Sequence, residues 1–179
     1  YKSFIVDPDK NLVADNIHEL IPLLFDNEKL AIGYLYNGRI SQWLEACGNG
    51  KLSTILKDIV TNRYPVDQRA GLMSAVYNME PSFAYKDVKG NLCEDVHSIA
   101  LSLLSYQSDY AILLTNPNDT LFLYLEAHTT CNIERLRSYF SKTDKKGSQV
   151  AVMKTIYEID PDIPLLARHQ SSSIKEIVR

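Results

Sequence analysis

The chain has little of several things that would declare a function early. It has no excess of positive charge: 19 Lys and Arg stand against 22 Asp and Glu, a formal net charge of −3. The broad phosphate-neutralising field of a nucleic-acid binder is therefore missing. Its three cysteines, Cys47, Cys93 and Cys131, are an odd number without close pairing, which argues against a disulfide framework and fits a reducing compartment. Its apolar stretches are far shorter than the roughly 20 residues that span a bilayer, and its first residues lack the basic start and apolar run of a signal peptide. A cytoplasmic protein without membrane association is expected. The chain begins at Tyr1 rather than Met, which reads as one part of a larger protein.

Motifs that carry chemistry are scarce too. Gly48-Asn49-Gly50 is followed by Lys-Leu-Ser without the remaining spacing of a phosphate loop or a dinucleotide fingerprint, so it reads as a tight turn. None of His18, His97, His128 and His169 lies in a recognisable nucleophile motif. The acid pairs Glu158/Asp160 and Asp160/Asp162 flank Pro161, where carboxylates serve turns and helix ends. Asn118-Asp-Thr120 fits a glycosylation acceptor, but with no secretory signal it reads as a helix cap. His128-x-x-Cys131 could give zinc two ligands, with Cys47 or Cys93 as a third. A structural zinc site wants about four, so no metal and no cofactor are expected.

What is present is a globular composition, 45% apolar and 23% charged, and a repeat. A shift of 80 residues brings Asn11-Leu12 onto Asn91-Leu92, Asp15 onto Asp95, Leu23-Leu24 onto Leu103-Leu104 and Ala31-Ile32 onto Ala111-Ile112. A shift of 81 then brings Leu44-Glu45-Ala46 onto Leu125-Glu126-Ala127, and the register returns to 80 for Met73, Tyr77 and Pro81, which meet Met153, Tyr157 and Pro161. Val76-Tyr-Asn-Met-Glu-Pro81 and Ile156-Tyr-Glu-Ile-Asp-Pro161 match position by position in size and polarity. Such self-similarity predicts an all-α tandem repeat of two modules of about 80 residues, packed as one compact domain. Residues 1–10 form an arm, 11–85 the first copy, 86–90 a connector, 91–165 the second copy and 166–179 a tail.

Each copy reads as about five short helices. In the first, Asp15 caps a segment from Asn16 toward Phe25 that Pro22 should break or kink. Asn27 caps the next, 28–37, and Gly38 ends it in a left-handed cap. Ile40, Trp43, Leu44 and Cys47 make the apolar stripe of a third helix, and Leu52, Ile55, Leu56, Ile59 and Val60 that of a fourth. Leu72, Met73, Val76 and Met79 face the core from a fifth, near 66–79. The second copy carries helices near 95–105, 107–116, 119–128, 132–142 and 147–159. Ser3–Val6 reads as a brief strand or an arm.

The copies supply an internal comparison. A catalytic set kept from an ancestral module should appear twice, and at this register none does: Cys47 meets His128, Asn49 meets Thr130 and Trp43 meets Tyr124. The shared positions are those that fill cores. The first copy alone has Asn37-Gly38-Arg39, the only tryptophan, and Gly48-Asn49-Gly50. An aromatic with an arginine one turn away is the composition of interface hot spots, so Arg39, Trp43, Asn37 and Asn49 are the candidate interaction residues, although the stripe of Trp43 also fits a core. The function expected is a non-catalytic interaction or regulatory module that binds a protein partner or an adjacent domain of the same protein. A competing expectation is an enzyme or small-molecule receptor with a site between the copies, drawing on Arg39, Trp43, Cys47, His97 and His128. A weaker one is nucleic-acid binding through Arg135, Arg137, Lys142, Lys145 and Lys146.

Overall fold

The structure, a computed structural model, describes residues 2–141 and 145–163. The tail 166–179, His169 and the side chains of Lys142, Lys145 and Lys146 lie outside what is described. The described residues are mostly helical, with ten α-helices and four short strands. None of these helices is long and apolar enough to cross a membrane. The contacts divide the chain into two compact units, 1–83 and 84–179.

The first unit opens with an antiparallel hairpin, β1 (Phe4–Asp7) on β2 (Leu12–Ala14). The Asp7 carboxylate accepts the Asp9 and Lys10 amides, and Asn11 takes the left-handed conformation, φ 54°, that an asparagine tolerates. Phe4 and Val6 turn inward and Ile5 outward, the two-residue period of a strand with one buried face. The segment expected as an arm thus carries β1.

Five helices follow: α1 (Ile17–Asp26), α2 (Glu28–Tyr36), α3 (Arg39–Ala46), α4 (Gly50–Asp58) and α5 (Gln68–Met79). The cap of α1 is Asn16, whose side chain accepts the Glu19 amide, rather than Asp15, which instead takes the Ser3 hydroxyl. Helix α1 runs through Pro22 without a break. Leu20, Ile21 and Leu24 of its inner face are buried around that position, and their packing outweighs the one hydrogen bond that proline cannot make. Gly38 and Gly48 both hold positive φ, 87° and 81°, at the turns into α3 and toward α4.

Helix α4 continues into a π-helical turn, Ile59–Arg63, closed by Tyr64 N–H on the Ile59 carbonyl at 2.8 Å. The Tyr36 hydroxyl donates to the Tyr64 carbonyl and lies where a Cβ on Gly71 of α5 would stand. Gly71 is therefore a close-approach glycine: α5 reaches α2 and the π turn because it has no side chain there.

The second unit opens with a hairpin too short for sequence periodicity to show, β3 (Tyr85–Lys86) on β4 (Leu92–Cys93). The residues expected as a connector make its turn. Its helices are α6 (Val96–Ser105), α7 (Gln107–Leu113), α8 (Thr120–His128), α9 (Ile133–Phe140) and α10 (Lys145–Ile159). Buried Asp87 organises the turn. One carboxylate oxygen accepts the Lys89 and Asn91 amides, and the other accepts the Ser102 hydroxyl of α6, which also meets the Tyr110 hydroxyl of α7 at 2.9 Å. Burial pushes the Asp87 carboxyl up, but the hydrogen bonds from Asn91, Ser102 and Lys89 outweigh it and hold the group below its usual value.

Two outcomes follow for stability. Gly71→Ala should lower it by about 1–3 kcal/mol, as overpacking does. The cost should shrink in a Tyr36→Phe background, which a double-mutant cycle of denaturant unfolding reads directly. Because the Asp87 carboxyl is lowered in the folded state, its contribution is complete above the ordinary value of 3.8 and is lost as pH falls through the lowered folded value. Asp87→Asn should flatten this acid limb in denaturation curves of the second unit.

Candidate functional site

The first unit carries an open groove of about 470 Å³ where the starts of α1 and α4 meet the ends of α3 and α5. Its apolar wall is Ile17, Trp43, Leu44 and Met79. Its polar rim is Asn16, His18, Cys47, Asn49 and Glu80. A second hollow of about 260 Å³ shares Ile17, Asn49 and Met79 with it and extends the surface to Lys51.

Each rim residue owes its position to a helix end. Asn16 caps α1, and Asn49 caps α4 by accepting the Leu52 amide at 3.3 Å. Both caps spend the carboxamide oxygen on the backbone and leave the amide nitrogen without a protein partner among the described residues. Cys47 ends α3, with its own N–H on the Trp43 carbonyl. Glu80 ends α5, and its two oxygens go to Ser82 and, at 3.3 Å, to Nδ1 of His18. The Ser82 hydroxyl is the main reason its carboxyl lies below the usual range; the His18 ring adds to the lowering, and burial opposes both.

Trp43 and Asn49 come together in this groove, joined by Cys47. Trp43 is only 8% exposed: its indole meets Phe4 edge-on at 5.7 Å and donates to the Lys2 carbonyl at 2.7 Å. Asn37 and Arg39 stand toward the start of α3, Arg39 one turn, about 6 Å of rise, before Trp43. The Arg39 guanidinium lies over the Tyr34 ring at 4.6 Å, and Asn37 accepts the Arg39 amide. The Arg39 guanidinium also reaches the Phe4 ring at 5.8 Å, the ring that Trp43 meets, so Arg39 and Trp43 share one neighbour while Asn37 and Asn49 lie beyond the two ends of α3.

The comparison of copies matched Glu80 with Asp160 but left out His18 and His97, and with them a polar pair that both units hold. In the second unit Nδ1 of His97 meets Asp160 at 2.8 Å. Each histidine lies two residues past the cap of the unit's first helix, and each acid one residue past the end of its last. The caps Asn16 and Asp95 are 79 apart and the acids 80, so a shift fixed at 80 hides the pair. One polar pair thus occurs in both units, although no catalytic set does among the described residues. A carboxylate-oriented imidazole suits nucleophilic catalysis only with a nucleophile bonded to its other nitrogen, and no such bond exists among the described residues. Cys47 shares the groove with His18 without a hydrogen bond to it.

The remaining candidates are held within the second unit. His128 stacks on Tyr124 at 3.9 Å, with Nδ1 2.8 Å from the Tyr124 carbonyl. The Cys131 thiol donates to the Glu158 carbonyl. Among the described residues no three of His, Cys, Asp and Glu are grouped to hold a metal. Arg135 pairs with Glu158 at 2.8 Å, and Arg137 pairs with Glu134 and reaches the Pro117 carbonyl. Both cations are thus already engaged by their own unit. Comparison with protein-family models, curated proteins and solved structures finds no match.

The thiols separate by environment. Burial, with Asp87 and Asp95 nearby, pushes the Cys93 thiol up, and Cys93 is 4% exposed, whereas Cys47 and Cys131 are half-buried. Iodoacetamide labelling of the native chain, read by peptide mass spectrometry, should modify Cys47 and Cys131 at least about tenfold faster than Cys93. Equal rates would show that the hairpin of the second unit opens readily.

Proposed function

We propose that the chain is a non-catalytic protein-interaction module, made by duplication of a unit with one hairpin and five helices, that docks a protein partner or an adjacent domain of the same polypeptide. The observation that carries this reading is the groove at the end of α3, an apolar wall with a polar rim whose amide donors are unspent. That composition suits association better than catalysis, because among the described residues no nucleophile, base and orienting acid are bonded in sequence. Support for the duplication comes from the shared element order and from the pairs His18–Glu80 and His97–Asp160 in equivalent places.

Arg39 and Asn37 extend the docking surface along α3 from Trp43 and Asn49. Arg39 is exposed and lies over Tyr34, so Arg39→Ala removes a surface contact worth about 0.5–1 kcal/mol to the fold and leaves the core in place. With the full chain immobilised in an extract of its own cells, Arg39→Ala should capture its partners at least about fivefold less well than the unaltered chain, a change of about 1 kcal/mol. Identical capture by the two chains contradicts the assignment of this surface.

A further inference from the structure

Two of the chain's asparagines precede glycine, Asn37 before Gly38 and Asn49 before Gly50. An asparagine in that setting can react with its own backbone. The nitrogen of the next residue attacks the side-chain carbonyl carbon, and a five-membered succinimide forms as ammonia leaves. Glycine favours the step because it has no Cβ to obstruct the approach.

The fold treats the two sites differently. Asn37 is exposed, whereas Asn49 is half-buried. Oδ1 of Asn37 accepts the Arg39 amide at 3.0 Å, and Oδ1 of Asn49 accepts the Leu52 amide at 3.3 Å. The closer donor polarises its carbonyl more and supports the charge that gathers on Oδ1 during attack, as a donor does in an oxyanion hole. The backbone separates them as well. At Asn49, ψ 61° sets Cβ trans to the Gly50 nitrogen, the arrangement furthest from ring closure, whereas ψ 0° at Asn37 leaves a smaller rotation. Nothing lies within 4 Å of where a Cβ would stand on Gly38. One contact opposes reaction there, because the Gly38 N–H donates to the Leu35 carbonyl. At 3.3 Å that bond is longer than a firm one and is readily released.

We propose that Asn37 is a site of spontaneous deamidation, at which the native chain exchanges an amide for a carboxylate on the α3 surface. The Gly38 nitrogen bonds to Cγ of Asn37 and gives up its proton. Nδ2, which has no protein partner among the described residues, takes that proton and leaves as ammonia. Water then opens the ring. Cleavage of the new bond at Cγ restores the main chain with aspartate, and cleavage at the main-chain carbonyl carbon gives isoaspartate, with the backbone routed through the side chain. Either product adds a negative charge two residues from Arg39. The reaction stands apart from the interaction reading above, and only its effect on partner capture rests on that reading.

The test incubates the full chain at neutral pH in buffer made with oxygen-18 water. Digestion at mildly acidic pH and peptide mass spectrometry follow. The peptide carrying Asn37 should take up one heavy oxygen and split into two chromatographic forms. Its uptake should be at least about threefold faster than that of the Asn49 peptide, about 0.7 kcal/mol of barrier. In guanidinium the two rates should converge, because the difference belongs to the fold. Asn37→Gln would need a six-membered ring and should show no uptake at that position. No uptake at Asn37, equal or faster uptake at Asn49 in the native chain, or the same preference in guanidinium overturns the proposal. Asn37→Asp reproduces the charge change and still accepts the Arg39 amide, since a carboxylate oxygen accepts as a carboxamide oxygen does. It should capture partners from the extract at least about threefold less well, because the new carboxylate neutralises Arg39. If Asn37 takes up oxygen while Asn37→Asp captures normally, the modification stands and the Asn37 end of the docking surface falls. If Asn37 stays unmodified while capture remains sensitive to Arg39→Ala, the modification falls and the interaction reading stands.

Discussion

A helix of seven to twelve residues cannot satisfy itself. Its first four N–H and last four C=O groups have no partner inside it, so in α1 to α9 the ends outweigh the middle. The fold depends on how those ends are met. Asn16, Asn49, Asp67, Asp95, Asp119 and Asn132 each accept a backbone amide of the first turn that follows. Where the cap is aspartate, the side chain brings a charge and no donor. Where it is asparagine, an amide is left over. The groove of the first unit is the place where two asparagine caps meet two helix C-termini, so its donors are a by-product of making short helices stable.

The same constraint explains what could be read in advance. Gly38 and Gly48 at the turns around α3 and the stripe Ile40, Trp43, Leu44 are local signals, and Ile40 and Leu44 are fully buried. Asn27 marks the boundary of α1 and α2, but its side chain donates to the Leu23 carbonyl of α1 instead of capping α2 as expected. Pro22 misled because a proline reads locally as a break, while the buried neighbours Leu20, Ile21 and Leu24 keep the helix continuous. The second hairpin has two-residue strands, too short for alternation to register, and it is fixed by Asp87 reaching Ser102, 15 residues on. The π turn is set by Tyr36 and Gly71, far from it in sequence.

Of the site, the sequence offered Trp43 and Asn49 because they are distinctive residue types between glycine turns. It did not offer Ile17, His18, Met79 or Glu80, which are ordinary in sequence and become neighbours only when α5 returns to the start of α1. The histidine–acid pairs were obscured for a different reason: a shift of 80 sets Glu80 on Asp160 but His18 on Ser98, one residue past His97.

The central claim is that the face of the first unit running from Arg39 through Trp43 to the groove at the start of α1 docks a protein segment. The most direct measurement is partner capture by the full chain in an extract of its own cells, compared among the unaltered chain, Arg39→Ala and Ile17→Glu. Both variants are expected to capture the same partners at least about fivefold less well than the unaltered chain, about 1 kcal/mol, with the thermal midpoint of Arg39→Ala within a few degrees of the original. Undiminished capture by both variants would contradict the claim.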